Sequence, residues 1–316
     1  MCGGAVINKL EANYSLIVIT FFAAIQYAFL SAVPASVSNY AFLCITSLIG
    51  FILIFVVFIN ELFRIDLRHI VQSIVLSVLT FIYNLFLLLG SSGLDSTTIV
   101  CVVSSYFIFI PVIEFIAFKT KPSLNVIFAI IFVIIGIFLI MDFDVTKLLN
   151  RNIFFLILTD IFVALYIVAT GNFATGSNPA ILSMGQLFFT TILSFIFWFF
   201  ESRIKGMKMS LPIEPAFWGS VIYVSVFIRG LYTVIQTYAQ RYVSPLNTSL
   251  IFSTEIIMTV TTTPIICQFF NMDVENNPVT ITVVIGVAIM LMGIIVSDPS
   301  VLTSFKLKKR SADTNV

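Results

Sequence analysis

Gln236-Thr-Tyr-Ala-Gln-Arg-Tyr-Val-Ser-Pro245 is a short polar turn between two long apolar runs, and the stretch from Pro215 to Asn271 decides how the chain is read. Each run is long enough to cross a bilayer, which takes about 20 residues. Each also carries one charge deep inside it, Arg229 in the first and Glu255 in the second. Both charges lie about 13 residues from Tyr242, the centre of the turn. In adjacent antiparallel helices rising about 1.5 Å per residue, they fall at one depth, roughly 20 Å from the turn. Opposite charges at one depth inside a membrane imply an ion pair, or a solute that meets them.

Composition sets the class. Of 316 residues, 59% are hydrophobic and 10% charged, and mean hydropathy is +1.11. Soluble domains carry about 25% charged residues. The net charge of +1 offers no field for nucleic acid, which is not expected as a partner. Cys2, Cys44, Cys101 and Cys267 are scattered without metal-site or disulfide spacing. His69 is the single histidine, which excludes Ser-His-Asp, Cys-His and multi-His zinc chemistry. No catalytic residue, metal or cofactor is expected. The first apolar run lacks a strongly basic leader and a clear cleavage site, so it reads as a retained span.

Outward from the turn, polar punctuation divides the chain into ten spans. They fall at about 14–33, 39–59, 71–90, 97–117, 124–141, 153–171, 180–200, 216–238, 246–269 and 278–297. Residues 12 to 60 hold no charged side chain, and Pro34-Ala-Ser-Val-Ser-Asn39 breaks them in two. Pro111 is expected to kink or thin the fourth span. Ten spans put both termini on one side. With the termini inside, Lys9, Arg64, Arg68, Lys119, Lys121, Arg241, Lys306, Lys308, Lys309 and Arg310 face the cytoplasm. Lys147, Arg151, Arg203, Lys205 and Lys208 then face out, and the positive-inside rule favours that orientation.

The connection at 142–152 splits the spans into five and five. Residues 1–141 form one repeat, 153–297 the other, and 298–316 a cytoplasmic tail. Five is odd, so the second repeat is inverted in the membrane. The expected fold is an all-α polytopic membrane protein of two inverted five-helix repeats, the build of a secondary transporter.

The turn 236–245, with Glu255 following Ser244 by eleven residues, resembles the eighth-to-ninth helix signature of EamA-type permeases of the drug/metabolite transporter superfamily. The ten-span layout extends the resemblance over about 12–297. The resemblance implies a central cavity lined mainly by helices 1, 3, 4, 6, 8 and 9, and export of amino acids, other small metabolites or drugs. It also implies a bacterial plasma-membrane location, and a monomer or weak homodimer is expected. Three positions depart from the family pattern. Ile256 replaces the proline that usually follows the ninth-helix glutamate, Gln26 stands where a first-helix tryptophan is common, and Arg229 occupies a place of small residues. The substrate is therefore not carried over.

Arg229 is the strongest candidate for substrate contact. Tyr232 and Gln236 follow at i+3 and i+7, on one face of a regular helix. That face offers a cation, a phenol and an amide to a carboxylate or phosphate. A permanent ion pair with Glu255 is the competing reading. Glu255 shares a stripe with Thr248, Phe252, Thr259 and Thr262, either lining a path or stabilising the fold. Asp160 lies about 10 Å below one end of its span. An isolated carboxylate there is a natural place for a coupling proton, because burial disfavours the charged form. Gln26-Tyr27 and Tyr83-Asn84 sit mid-span, as cavity lining or as interhelical glue. Tyr106 and Tyr166 are weaker candidates, and Ser104-Ser105 reads as small-residue packing. The main alternative to a transporter is a membrane-embedded enzyme or scaffold, for which the chain shows no catalytic cluster.

Overall fold

A computed structural model of the protein describes residues 9–31, 33–34, 36–92, 94, 96–119, 124–140, 150–206, 209–269 and 281–297. Most of the expected connection (142–149) and the whole tail with its basic cluster lie outside these residues, as do Asp95, Lys121, Lys147 and Lys208.

The described residues are helical throughout the membrane-crossing intervals and contain no strand. That is what an apolar solvent demands, since every backbone donor and acceptor must be satisfied within the segment. The helices are α1 (Lys9–Ser31), α2 (Asn39–Phe58), α3 (Leu67–Gly90), α5 (Leu124–Ile140), α6 (Arg151–Gly176), α7 (Pro179–Lys205) and α10 (Ile281–Ser297). Three more are interrupted. In α4, a tight 3-10 turn at Ser104–Ile108 separates Ser96–Val103 from Phe109–Phe118. In α8, a π-helical segment at Val224–Tyr232 joins Pro215–Tyr223 to Thr233–Ala239. In α9, Pro245–Phe252 and Glu255–Phe269 are separated at Ser253 and Thr254.

Each of the ten expected intervals holds helix among the described residues, but only seven helices there are long and apolar enough to cross a membrane. The apolar helices at 124–139 and 281–293 fall short of that length, and the break divides α9. The chain is an integral, multi-pass membrane protein.

Local chemistry explains the helix ends. Asp66, Asn150, Asn178 and Ser244 cap helix N-termini by accepting from backbone N–H groups within three residues. Pro179, Pro215 and Pro245 occupy first turns, where a missing N–H costs nothing. Pro111 cannot donate to the Phe107 carbonyl, and a 3-10 turn lies just before it, so α4 departs from regular α-helix next to the proline.

Packing is close where glycine removes a side chain. A Cβ on Gly50 of α2 would lie 2.5 Å from the Arg229 Cβ, so α2 and α8 touch almost backbone to backbone. Gly136 of α5 meets α10 in the same way, at Met290 and the Gly286 carbonyl. Helices α2 and α7 run antiparallel, because Ser38 at the start of α2 bonds Glu201 near the end of α7, and Asn178 before α7 bonds Glu61 just past α2.

Candidate functional site

The buried polar side chains of the two halves meet in the middle of the bundle. Arg229 is 6% exposed, and its Nη2 donates to Asn84 Oδ1 of α3 at 2.7 Å. Asn84 is held in turn by its own Nδ2, which donates to the Thr80 carbonyl at 2.7 Å. The Tyr83 phenol is in hydrogen-bonding reach of the guanidinium, and Tyr166 of α6 stands close by. The Tyr83 and Tyr166 rings are 5.5 Å apart. Behind Tyr166, Gln186 of α7 donates to Thr80 Oγ1 at 2.8 Å and to the Tyr166 hydroxyl at 3.2 Å. Arg229 Nε has no hydrogen-bond partner among the described residues.

The carboxylates lie on the other side of the tyrosines. Asp160 is fully buried, and Ser105 Oγ of α4 donates to its Oδ2 at 2.5 Å. Glu255 has Tyr27 of α1 in hydrogen-bonding reach. The Tyr106 phenol lies within electrostatic reach of both acids. Asp160 Oδ1, Glu255 Oε1 and the Tyr106 hydroxyl are buried without a hydrogen-bond partner among the described residues. Tyr232 stands between the two groups, in reach of Tyr83 and Tyr166 on one side and of Tyr106 and Glu255 on the other. Its ring packs 5.3 Å from Phe252.

Two expectations about Arg229 are corrected. No ion pair joins it to Glu255 in this structure: the arginine bonds Asn84, and the glutamate is met by Tyr27. The pairing argument assumed that the helices on either side of the 236–245 turn lie against each other. Instead α1 packs against both of them, and Tyr232 lies in electrostatic reach both of Glu255 and of Tyr83 and Tyr166 beside the arginine. Nor do Arg229, Tyr232 and Gln236 act as one face. The π segment replaces 3.6-residue turns with wider ones, bonded i to i+5, and rotates successive side chains off the expected line. Arg229 turns to α3, Tyr232 packs on Phe252, and Gln236 Nε2 donates to Gln240 at 3.4 Å. Gln240 in turn reaches the Ile167 carbonyl of α6 at 3.1 Å.

The other candidates divide cleanly. Tyr27, Tyr83, Asn84, Asp160 and Glu255 converge on the cluster, whereas Gln26 is half-buried and makes no hydrogen bond among the described residues. The threonine stripe on α9 is broken: Thr248 Oγ1 is buried without a partner among the described residues, Thr259 donates to the Ala24 carbonyl of α1, and Thr262 donates to the Met258 carbonyl one turn back. The break has a local cause. The Ser253 and Thr254 hydroxyls bond the Ser249 and Ile251 carbonyls, competing with the helix ladder. It makes Glu255 the first residue of a new helix, whose N-terminal dipole favours a carboxylate.

Sequence reasoning undervalued Ser105, Tyr106 and Tyr166 and missed Gln186. A signal for Gln186 existed, since it is the one amide inside the apolar run of α7. The cluster draws on α1, α3, α4, α6, α8 and α9, the helices expected near a path, and adds α7.

Residues 12–142 match the model of the EamA-like transporter family. That family is part of the drug/metabolite transporter superfamily. No curated protein matches the chain in sequence. The whole chain is similar in fold to a crystal structure described only as that of a protein, with a TM-score of 0.62. That likeness covers 95% of this chain and 98% of the other at 12% sequence identity, and it shows the fold alone. The EamA-like match covers α1 to α5, which supply Tyr27, Tyr83, Asn84, Ser105 and Tyr106 to the cluster.

Proposed function

We propose that the protein is a secondary transporter of two inverted five-helix repeats. It moves a small polar or amphipathic metabolite, such as an amino acid or a related compound, by alternating access, in the direction of export and without catalysis. The observation that carries this reading is the central cluster. Arg229, Asp160 and Glu255 are buried mid-bundle, none is ion-paired with another, and each keeps a polar atom without a partner. An ionisable side chain at mid-membrane costs on the order of 2.5–3.5 kcal/mol on insertion scales, a cost that a purely structural bundle has no reason to bear three times.

The pattern of helix neighbours supports the repeat. Exchanging each helix with the one five further on maps α3–α6 onto α8–α1, α3–α7 onto α8–α2, and α4–α6 onto α9–α1, and all six contacts are present. The pairs α2–α7, α4–α9 and α5–α10 map onto themselves and are present too. The two end clasps follow the same rule: the step from Ser38 to Asn178 equals the step from Glu61 to Glu201. Inverted repeats with a polar site at their interface are the architecture of alternating access.

The test is reconstitution. Purified protein is first screened for thermal stabilisation by amino acids, nucleosides, sugar phosphates and quaternary amines. The best binder is then followed into proteoliposomes under an imposed pH gradient. Saturable, protein-dependent flux is expected, and Asp160→Asn is expected to abolish the part driven by the gradient while leaving binding largely intact. Absence of flux for every stabilising solute overturns the transporter reading. Unchanged pH dependence in the variant removes Asp160 from coupling.

A further inference from the structure

The turn between α6 and α7 is tied to the first half of the chain at one end of the bundle. Ser177 Oγ donates to Gln72 Oε1 of α3 at 2.6 Å, and Asn178 Nδ2 donates to Glu61 Oε2 at 2.8 Å. Arg68 closes over Gly176, where a Cβ would lie 2.7 Å from its Nη2. The fourth tie is the single histidine of the chain. The Asn178 backbone N–H donates to His69 Nε2 at 3.2 Å, and the other ring nitrogen, Nδ1, meets Asp66 Oδ1 at 2.5 Å. A backbone N–H can only donate, so Nε2 presents its lone pair and the ring proton sits on Nδ1, aimed at Asp66. The ring is neutral in this arrangement. The clasp at the other end, Ser38 on Glu201, is backed instead by Lys205, which donates to the same carboxylate at 2.6 Å.

We propose that His69 is a pH-sensitive latch: as a neutral ring it locks the α6–α7 turn onto the start of α3, and on taking a second proton it releases the turn. Histidine is the side chain that changes charge between about pH 5 and 8. An imidazolium carries N–H on both nitrogens, so its Nε2–H would face the Asn178 N–H donor to donor, and that bond is lost. The other side of the ring favours the change. The His69 backbone N–H, and then its ring, hold the Asp66 carboxyl below the usual carboxylate range, so Asp66 stays charged in mild acid and pairs with the imidazolium. The proton therefore exchanges a tie to the turn for an ion pair within the cap of α3. Gly176, Ser177 and Asn178 bring no titratable side chain to the ring. The charges around it are Asp66 and Arg68 on its own helix end, and Glu61 with Arg64, paired at 3.1 Å just past α2. Beyond Glu61 lie Tyr238 and Arg241 at the end of α8. The latch joins the two halves of the chain, so its release bears on alternating access, and that consequence rests on the transporter reading.

The experiment uses the full-length protein in detergent, purified without a histidine tag. Because His69 is the only histidine, isotope labelling at histidine gives one set of ring signals. At about pH 7.5 the NMR shifts of the ring nitrogens are expected to show the neutral form with its proton on Nδ1. Hydrogen exchange around Asn178, corrected for the intrinsic effect of pH on exchange, is expected to be roughly tenfold faster at about pH 5.5 than at about pH 7.5, the factor for one hydrogen bond. Exchange around Ser38, at the other clasp, is expected to stay the same. His69→Gln offers an amide oxygen that does not titrate, and is expected to remove the pH dependence at Asn178. His69→Phe offers no acceptor and is expected to exchange fast at both pH values; if it does not fold, the parent and His69→Gln decide. A neutral ring with its proton on Nε2 overturns the proposal. So does exchange at Asn178 that ignores pH, loosening shared equally by the Ser38 segment, or a pH dependence that survives in His69→Gln. Absence of flux in proteoliposomes with the pH signature intact overturns the transporter reading and leaves the latch standing. Flux with no pH signature at the turn does the reverse.

Discussion

Arg229 shows what a residue-level reading of sequence delivers. Its presence at mid-membrane, and the depth it shares with Glu255, follow from counting residues along a helix. Its partner does not, because lateral neighbours depend on which helix packs between, and α1 does. The partner in this structure is Asn84 Oδ1 at 2.7 Å. A double-mutant cycle on thermal or denaturant stability in detergent separates the two pairings. Arg229→Leu with Asn84→Leu is expected to show a coupling of about 1.5–3 kcal/mol, as for a buried hydrogen bond to a charged group. Arg229→Leu with Glu255→Leu is expected to be additive to within about 0.5 kcal/mol. A large coupling in the second cycle would mean that the ion pair dominates the folded ensemble. Arg229→Lys is expected to impair flux even where it folds, because lysine lacks the planar fork that can hold Asn84 and a solute anion together.

At the scale of the element, two departures from regular helix place the site, and both are hard to read from periodicity. Apolar runs and the polar breaks between them located the helical intervals, but a π segment conserves apolarity while changing the turn, so the predicted Arg229–Tyr232–Gln236 face does not form. The α9 break leaves a fainter trace, Ser253-Thr254 ahead of Glu255, which is a cap-like signal inside an apolar run. The close approach of α2 to the π segment is directly testable. In Gly50→Ala the new Cβ would lie 2.5 Å from Arg229 Cβ and 3.2 Å from the Ser225 carbonyl, so a backbone has to move. A loss of about 1–3 kcal/mol is expected, as for overpacking, together with weaker solute binding. Gly219→Ala, in the first part of the same helix, meets nothing within 4 Å and is expected to melt within about 0.5 kcal/mol of the parent. Equal effects at the two glycines would remove close packing as the cause.

The whole molecule turns on the antiparallel α2–α7 pair and its two end clasps, Ser38–Glu201 and Asn178–Glu61. The clasps were illegible in the sequence because their members are far apart in the chain and look like ordinary loop polars. What the sequence did offer was the polarity of the loops, with Arg64 and Arg68 between α2 and α3 assigned to the cytoplasm. The structure turns that into a geometric constraint. Since α2 has 20 residues and rises about 1.5 Å for each, its two ends lie roughly 30 Å apart, the thickness of a bilayer core. The clasps therefore sit at opposite membrane faces. Each contains a helix cap, so Ser38→Ala and Asn178→Ala are expected to cost about 1 kcal/mol apiece. At that separation their effects should add in the double variant. Orientation is tested at the neighbouring basic residues, which are open to reagents: the Arg64 side chain is 73% exposed and that of Lys205 52%. With a membrane-impermeant thiol reagent on intact cells, Lys205→Cys is expected to label at once and Arg64→Cys only after the membrane is opened. The reverse pattern would invert the protein in the membrane and leave the clasps intact. Labelling of both from one side would contradict the clasp geometry itself, because the two ends of one spanning helix cannot share a face.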